Sequence, residues 1–216
     1  VRYPDGSMAS LDLAALVDPA HTAIVTSEVQ NGVVGERSAL PALAELAGPV
    51  VEQLSVLLSA ARPAGVRVIH ATAARRADAA GSNTNARLFA AVKKSPVALL
   101  PGSPEADVVS ELGPEPEDLV LTRLHGLNPM AGTDLDPVLR NLGVRTVIVT
   151  GVSVNVAVTN LVMDAVNHGY QVVLPRDGVC GIPTEYADAV IDNTLSLLAT
   201  VTTVDELVAA WREAGR

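Results

Sequence analysis

Short, almost purely apolar runs alternate along this chain with longer stretches in which apolar residues recur every three or four positions. The first kind predicts buried strands and the second amphipathic helices. Strands are expected over residues 23–26, 66–70, 118–122, 145–150, 170–174 and 200–204. Helices are expected over 50–61, stopped by Pro63 and Gly65, and over 85–92. Further helices follow over 134–142, closed by Gly143, and 155–167, closed by His168 and Gly169, then 183–198 and 205–213. Residues 71–85 are small and polar and read as a loop. The strands are continuous apolar runs, as expected of a sheet covered on both faces. Right-handed crossovers between them then give an α/β fold, a three-layer α/β/α sandwich with a six-stranded, mostly parallel sheet. Ligands of such sheets sit outside the carboxyl ends of the strands. That rule selects residues 27–31, 70–76, 123–130, 151–157 and 175–180.

Composition narrows the functional classes. A chain of 216 residues suits one domain, with no internal repeat or low-complexity linker to divide it. Hydrophobic residues make up 49% and the mean hydropathy is +0.33, so a core is easily supplied. Aromatics are 2%, namely Tyr3, Phe89, Tyr170, Tyr186 and Trp211, too few for a base-stacking surface. The net charge of -9 argues against nucleic acid and anionic membranes as partners. A single cysteine, Cys180, allows no intrachain disulfide and fits a reducing cytoplasm. Residues 1–20 show no leader pattern, and no apolar run approaches the roughly 20 residues that span a bilayer. His21, His70, His125 and His168 form no ligating pair, so no metal and no cofactor is expected.

Several side chains in the selected segments could carry chemistry. Glu28 follows the first strand, where a partly desolvated carboxylate can serve as general acid or base; the plainer reading is a solvated loop glutamate. Arg123 ends the third strand and can hold an anionic group or simply pair with an acid at the sheet edge. Gly151 permits an unusual turn, and Asn155 could cap the helix after it. His125 is a spare proton carrier, whereas His70 reads as pocket lining or a satisfied strand-end side chain. Arg75 and Arg76 could meet an anion, although exposed loop arginines are usually solvated.

Residues 147–158, Val-Ile-Val-Thr-Gly-Val-Ser-Val-Asn-Val-Ala-Val, resemble the nucleophile segment of the isochorismatase-like hydrolases of the cysteine hydrolase superfamily. Gly132-Thr133-Asp134-Leu135, Asp164-Ala165-Val166 and Gly169-Tyr170-Gln171-Val172 extend the resemblance to about residues 22–204, the core of a single 1–216 domain. The resemblance implies that Glu28 stands for a catalytic Asp, Arg123 for a catalytic Lys, and Ala157 for the nucleophilic Cys. Arg123 follows from aligning on the strand end; counting back from Gly132-Thr133 reaches Leu124, so a one-residue insertion is implied. Met130 stands where the family often has Phe. A cis peptide at Val152–Ser153 is implied, with backbone amides there and at residue 157 forming an oxyanion hole. Gln30, His125, Met130, Ser153, Asn155 and Ala157 are the substrate-binding candidates. A small-molecule substrate and a homo-oligomer, dimer or tetramer, are also implied.

Three functional readings follow. One is a hydrolase without a covalent intermediate, such as the vinyl-ether-cleaving members of the family, with Glu28 supplying the proton and Arg123 holding a substrate carboxylate. Another is a non-catalytic member that binds a small molecule or a partner protein. The third is an amidase with its thiol relocated to Cys180, although a lone cysteine is more often a small buried hydrophobe.

Overall fold

The computed structural model describes residues 12–214. Most of the N-terminal stretch read for a leader pattern therefore lies outside the described residues. In chain order the elements are α1 (Leu13–Leu16), β1 (Thr22–Ser27), α2 (Pro41–Ala64), β2 (Arg67–Ala73), α3 (Arg87–Lys94), β3 (Leu119–Arg123) and α4 (Leu135–Asn141). They continue with β4 (Thr146–Val152), α5 (Thr159–Asn167), β5 (Gln171–Pro175), β6 (Val179–Cys180), α6 (Thr184–Asn193), β7 (Thr200–Thr202) and α7 (Val204–Ala214).

The strands form one sheet in the order β3-β2-β1-β4-β5-β7, and every neighbouring pair is parallel. Seven strands are present among the described residues rather than the six expected. The additional strand, β6, pairs with Gly151 and Val152 of β4, beyond the point where β5 leaves it. Two residues are too short to show any periodicity, so only the pairing reveals it.

Strand residues alternate between two cores, which explains the continuous apolar runs. Ile24, Val68, Ile148 and Val173 pack under α1, α2 and α7. Ala23, Val25, Ile69, Val147, Val149, Val172 and Leu174 pack under α4, α5 and α6. Helix α2 begins nine residues earlier than its apolar spacing suggested, with Pro41 at its first turn, where the missing N–H costs nothing. It runs through Pro49 and Pro63 to Gly65, which closes it in a left-handed conformation (φ 88°). Burial of Leu43, Val50, Leu54, Leu57 and Leu58 against the sheet offsets the interior prolines, about 3 kcal/mol each. At 24 residues α2 is, by length and composition, long and apolar enough to cross a membrane, contrary to the sequence expectation. In the fold its apolar face is the floor of a core.

Registers place the functional ends together. Ser27 pairs with Ala71 of β2 and Gly151 of β4, while Ala73 pairs with Arg123 of β3. The carboxyl ends of β1, β2, β3 and β4 thus form one rim.

Candidate active site

Glu28 leaves β1 with φ 55°, a left-handed conformation uncommon for a residue with a Cβ. Its N–H donates to the Ala71 carbonyl at 2.9 Å, and its own carbonyl accepts from Gln30 N–H at 2.9 Å. Its carboxylate meets Arg123, whose Nη2 donates to Glu28 Oε1 in a close ion pair. The guanidinium side chain is 6% exposed and the carboxylate 21%. Leu124, the alternative from counting back, is instead 43% exposed, so Arg123 is the residue at this strand end that faces Glu28. Arg123 Nε and Nη1 are buried without a hydrogen-bond partner. Leaving buried donors of a charged group unpaired costs a few kcal/mol, which an acceptor on a ligand would recover.

The loop carrying Glu28 is pinned from behind. Gln30 is fully buried. Its carboxamide accepts from Ala73 N–H at 2.8 Å and donates to the carbonyls of Ala73 (2.9 Å) and Ala106 (2.7 Å). Those partners occupy the amide, so the structure places Gln30 as a brace between the β1 exit, β2 and residues 104–109. Asn31 donates to the Pro104 carbonyl at 2.9 Å, and Gly32 N–H to that of Glu105 at 2.8 Å. Sequence reasoning passed over residues 97–109, which carry no periodic pattern. Ser27 fell within the selected segment 27–31 but was given no role; its Oγ is buried and unpaired directly before Glu28.

On the other side of the rim, Gly151 has φ 95°, and a Cβ there would lie 2.4 Å from the Ser27 carbonyl oxygen. Glycine is therefore required for β4 to lie against β1 at this point. The Val152–Ser153 peptide is cis, where the resemblance implies it. Residues 154–158 form a wide π turn before α5, with Val158 N–H donating to the Ser153 carbonyl at 3.1 Å. Such turns recur at functional sites. Ala157 lies in this turn, 3% exposed, and belongs to neither hydrophobic core. Asn155 does not cap the helix, contrary to expectation: its Nδ2 donates to the Ile182 carbonyl at 2.7 Å, tying the turn to the chain beyond β6. Ser153 is half-buried beside it.

The remaining candidates sit elsewhere. Met130 is 1% exposed within the core formed with α4 and α5. His125 is on the surface, its Nε2 3.2 Å from the Gly132 carbonyl. His70 is interior rather than pocket-lining, with Nδ1 2.8 Å from Thr26 Oγ1 and Nε2 3.4 Å from Asp118. Arg76 pairs at the surface with Asp78, whereas Arg75 Nε is buried without a partner. Burial pushes the Cys180 thiol up to about 11, so it is protonated near neutrality, the inert form of a cysteine. Among the described residues no three His, Cys, Asp or Glu side chains converge to hold a metal ion.

An acid and a cation thus meet on the carboxyl rim of a parallel α/β sheet, with a turn and helix following β4, the place where ligands of such sheets bind. The isochorismatase domain family matches residues 22–206, and the chain belongs to that family of hydrolases, as a member without the nucleophilic cysteine. It is 28% identical to the ureidoacrylate amidohydrolase RutB of Pantoea ananatis (strain LMG 20103), over 97% of this chain and 91% of that protein. Among solved structures it resembles a cysteine hydrolase from Pseudomonas syringae pv. phaseolicola 1448A, with TM-score 0.82, 26% identity, and 92% and 96% of the two chains covered. An isochorismatase family protein from Desulfovibrio vulgaris gives TM-score 0.77 at 25% identity, covering 90% and 98%.

Proposed function

We propose that this protein hydrolyses a small molecule bearing an anionic group, without a covalent thiol intermediate. The observation that carries this reading is Arg123, buried with one nitrogen on Glu28 and two others without partners. Those donors suit a substrate carboxylate. Ala157 leaves space but no nucleophile, so water must attack directly. Glu28, held by Arg123, takes a proton from that water as it adds to the electrophilic carbon. Glu28 then returns the proton to the departing atom, so one water is consumed and the carboxylate regenerated. The guanidinium stays protonated throughout and contributes charge and orientation, not proton transfer. Ureido acids are the first substrate class to try, because the RutB relative is named for ureidoacrylate. Vinyl ethers are the second class; there Glu28 would protonate carbon before water adds.

A second reading is a member that binds such a molecule without turning it over. It is favoured by the joint replacement of the family's acid, lysine and cysteine by Glu28, Arg123 and Ala157. NMR-monitored turnover of ureido acids, amides, esters and vinyl ethers separates the two. We expect one class to be hydrolysed, with Glu28→Gln slowing it by about 10²–10⁴-fold and Cys180→Ala leaving it unchanged. Full activity in Glu28→Gln, or its loss in Cys180→Ala, would refute the mechanism. Saturable binding of these acids with no turnover would establish the second reading.

A further inference from the structure

Beyond the end of β2 a second arginine stands on the face of the sheet that carries the ion pair. β2 runs between β1, which leads to Glu28, and β3, which ends in Arg123. Arg123 pairs in register with Ala73, so its side chain leaves the sheet on the same face as Ala73 and Ala71. That face also carries Ile69 and Leu121, whereas Thr72 and Thr122 meet on the other. The Glu28–Arg123 pair therefore crosses the end of β2 on its alanine side, where small side chains leave it room.

The hydrogen-bonding rhythm of β2 continues for two residues past Ala73. The Ala73 N–H points to the β1 side, where it donates to Gln30 Oε1 at 2.8 Å. The Ala74 N–H points to the β3 side and donates to the Arg123 carbonyl at 2.9 Å. The Arg75 N–H points to the β1 side again and donates to the Leu99 carbonyl at 2.8 Å. Leu99 itself lies against the loop after Glu28, its Cδ2 2.5 Å from where a Cβ on Gly32 would be. Alternating amides carry alternating side chains, so Ala71, Ala73 and Arg75 share one face. Arg75 is thus set on the Arg123 face, about 6.5 Å further along β2 than Ala73.

The two guanidiniums differ in their company. Arg123 is buried, its charge is balanced by Glu28, and its Nε and Nη1 lack partners. Arg75 is half-buried, its Nε also lacks a partner, and it makes no ion pair among the described residues. Its neighbour Arg76, by contrast, is matched by Asp78. A guanidinium already stripped of part of its water gains more from an anion than a fully solvated one. One buried and one half-buried arginine along the same line mark an inner and an outer anion position, and only the inner one has an acid beside it.

We infer that Arg75 is a specificity-determining residue that binds a second anionic group of the substrate, so that the site selects small dicarboxylates over monocarboxylates. The inference rests on the reading that Arg123 holds a substrate carboxylate.

Isothermal titration calorimetry of the full chain with glutarate and butyrate, which differ by one carboxylate, tests this. 2-Ureidosuccinate and 3-ureidopropionate, which differ in the same way, repeat the comparison on the ureido class. In the wild type each dicarboxylate should bind at least about tenfold more tightly than its monocarboxylate, the worth of one charge-assisted hydrogen bond. Arg75→Gln should bring that ratio close to one, Arg75→Lys, which keeps the charge, should retain most of it, and Arg123→Gln should weaken all four ligands. A wild type without the preference, or an Arg75→Gln variant that keeps it, would overturn the inference while the role of Arg123 stands. Binding of none of the four, or binding indifferent to Arg123→Gln, would overturn both.

Discussion

At the scale of single residues, the site depends on two backbone positions as much as on its charged side chains. Glu28 holds a left-handed conformation that costs a residue with a Cβ about 1–2 kcal/mol. The bond from its N–H to Ala71 and the brace of Gln30 keep it there and aim the carboxylate at Arg123. Gly151 lies across the sheet from Ser27, and the approach is closest here, 2.4 Å and 2.8 Å from an added Cβ to the Ser27 oxygen and nitrogen. Gly151→Ala should therefore cost about 3 kcal/mol in urea unfolding, since neither neighbour is a flexible side-chain end. Gly65→Ala is the control, with φ 88° and nothing within 4 Å of an added Cβ. It should cost only about 1 kcal/mol of backbone strain. Equal losses would show that closeness of β1 and β4 is not what demands glycine at 151.

At the scale of elements, β2 and α2 are joined by a buried polar chain on the face away from α4 to α6. Thr26, His70, Asp118 and Arg62 connect through contacts of 2.8, 3.4 and 2.7 Å. Burial lowers the His70 pKa from its ordinary 6.5, against the opposing pull of Asp118. Burial alone would raise the Asp118 carboxyl, but bonds from Arg62 and the Glu115 N–H hold it below its ordinary value. Both shifts act in one direction. Below pH 6.5 an unfolded chain protonates His70 while the folded chain does not, so stability falls with falling pH. Asp118 adds its loss only at lower pH, through its depressed folded value. The melting temperature should be level above pH 7 and decline from about 6.5 downward. His70→Asn should flatten the decline between about pH 5 and 6.5. An unchanged slope in that variant would assign the acid sensitivity to other groups.

At the scale of the whole molecule, the two ends of the described chain meet beneath α2. The indole Nε1 of Trp211 on α7 donates to the Val17 carbonyl at 2.9 Å, a buried bond linking residues 194 apart in sequence. Trp211→Phe keeps most of the apolar volume but strands that carbonyl, and should lower stability by about 1–3 kcal/mol, read by far-UV circular dichroism. No loss would mean that α1 and α7 are held by packing alone. The layers themselves were legible in the sequence, because strands covered on both faces read as unbroken apolar runs and helices as spaced ones. The shortest strand, β6, was not, and neither was the true start of α2, since pairing and burial override local signals at Val179, Pro41 and Pro49. Glu28 and Arg123 stood out in the sequence as charges at strand ends, and the alanine at 157 only through the resemblance to the family's nucleophile segment. What only the tertiary structure decided was their company. It alone brought Arg123 rather than Leu124 onto Glu28, spent Gln30 on backbone partners, turned Asn155 away from the helix, and sent Met130 to the core and His125 to the surface. A side chain's direction depends on register and on contacts between residues up to 194 positions apart, which no local pattern encodes.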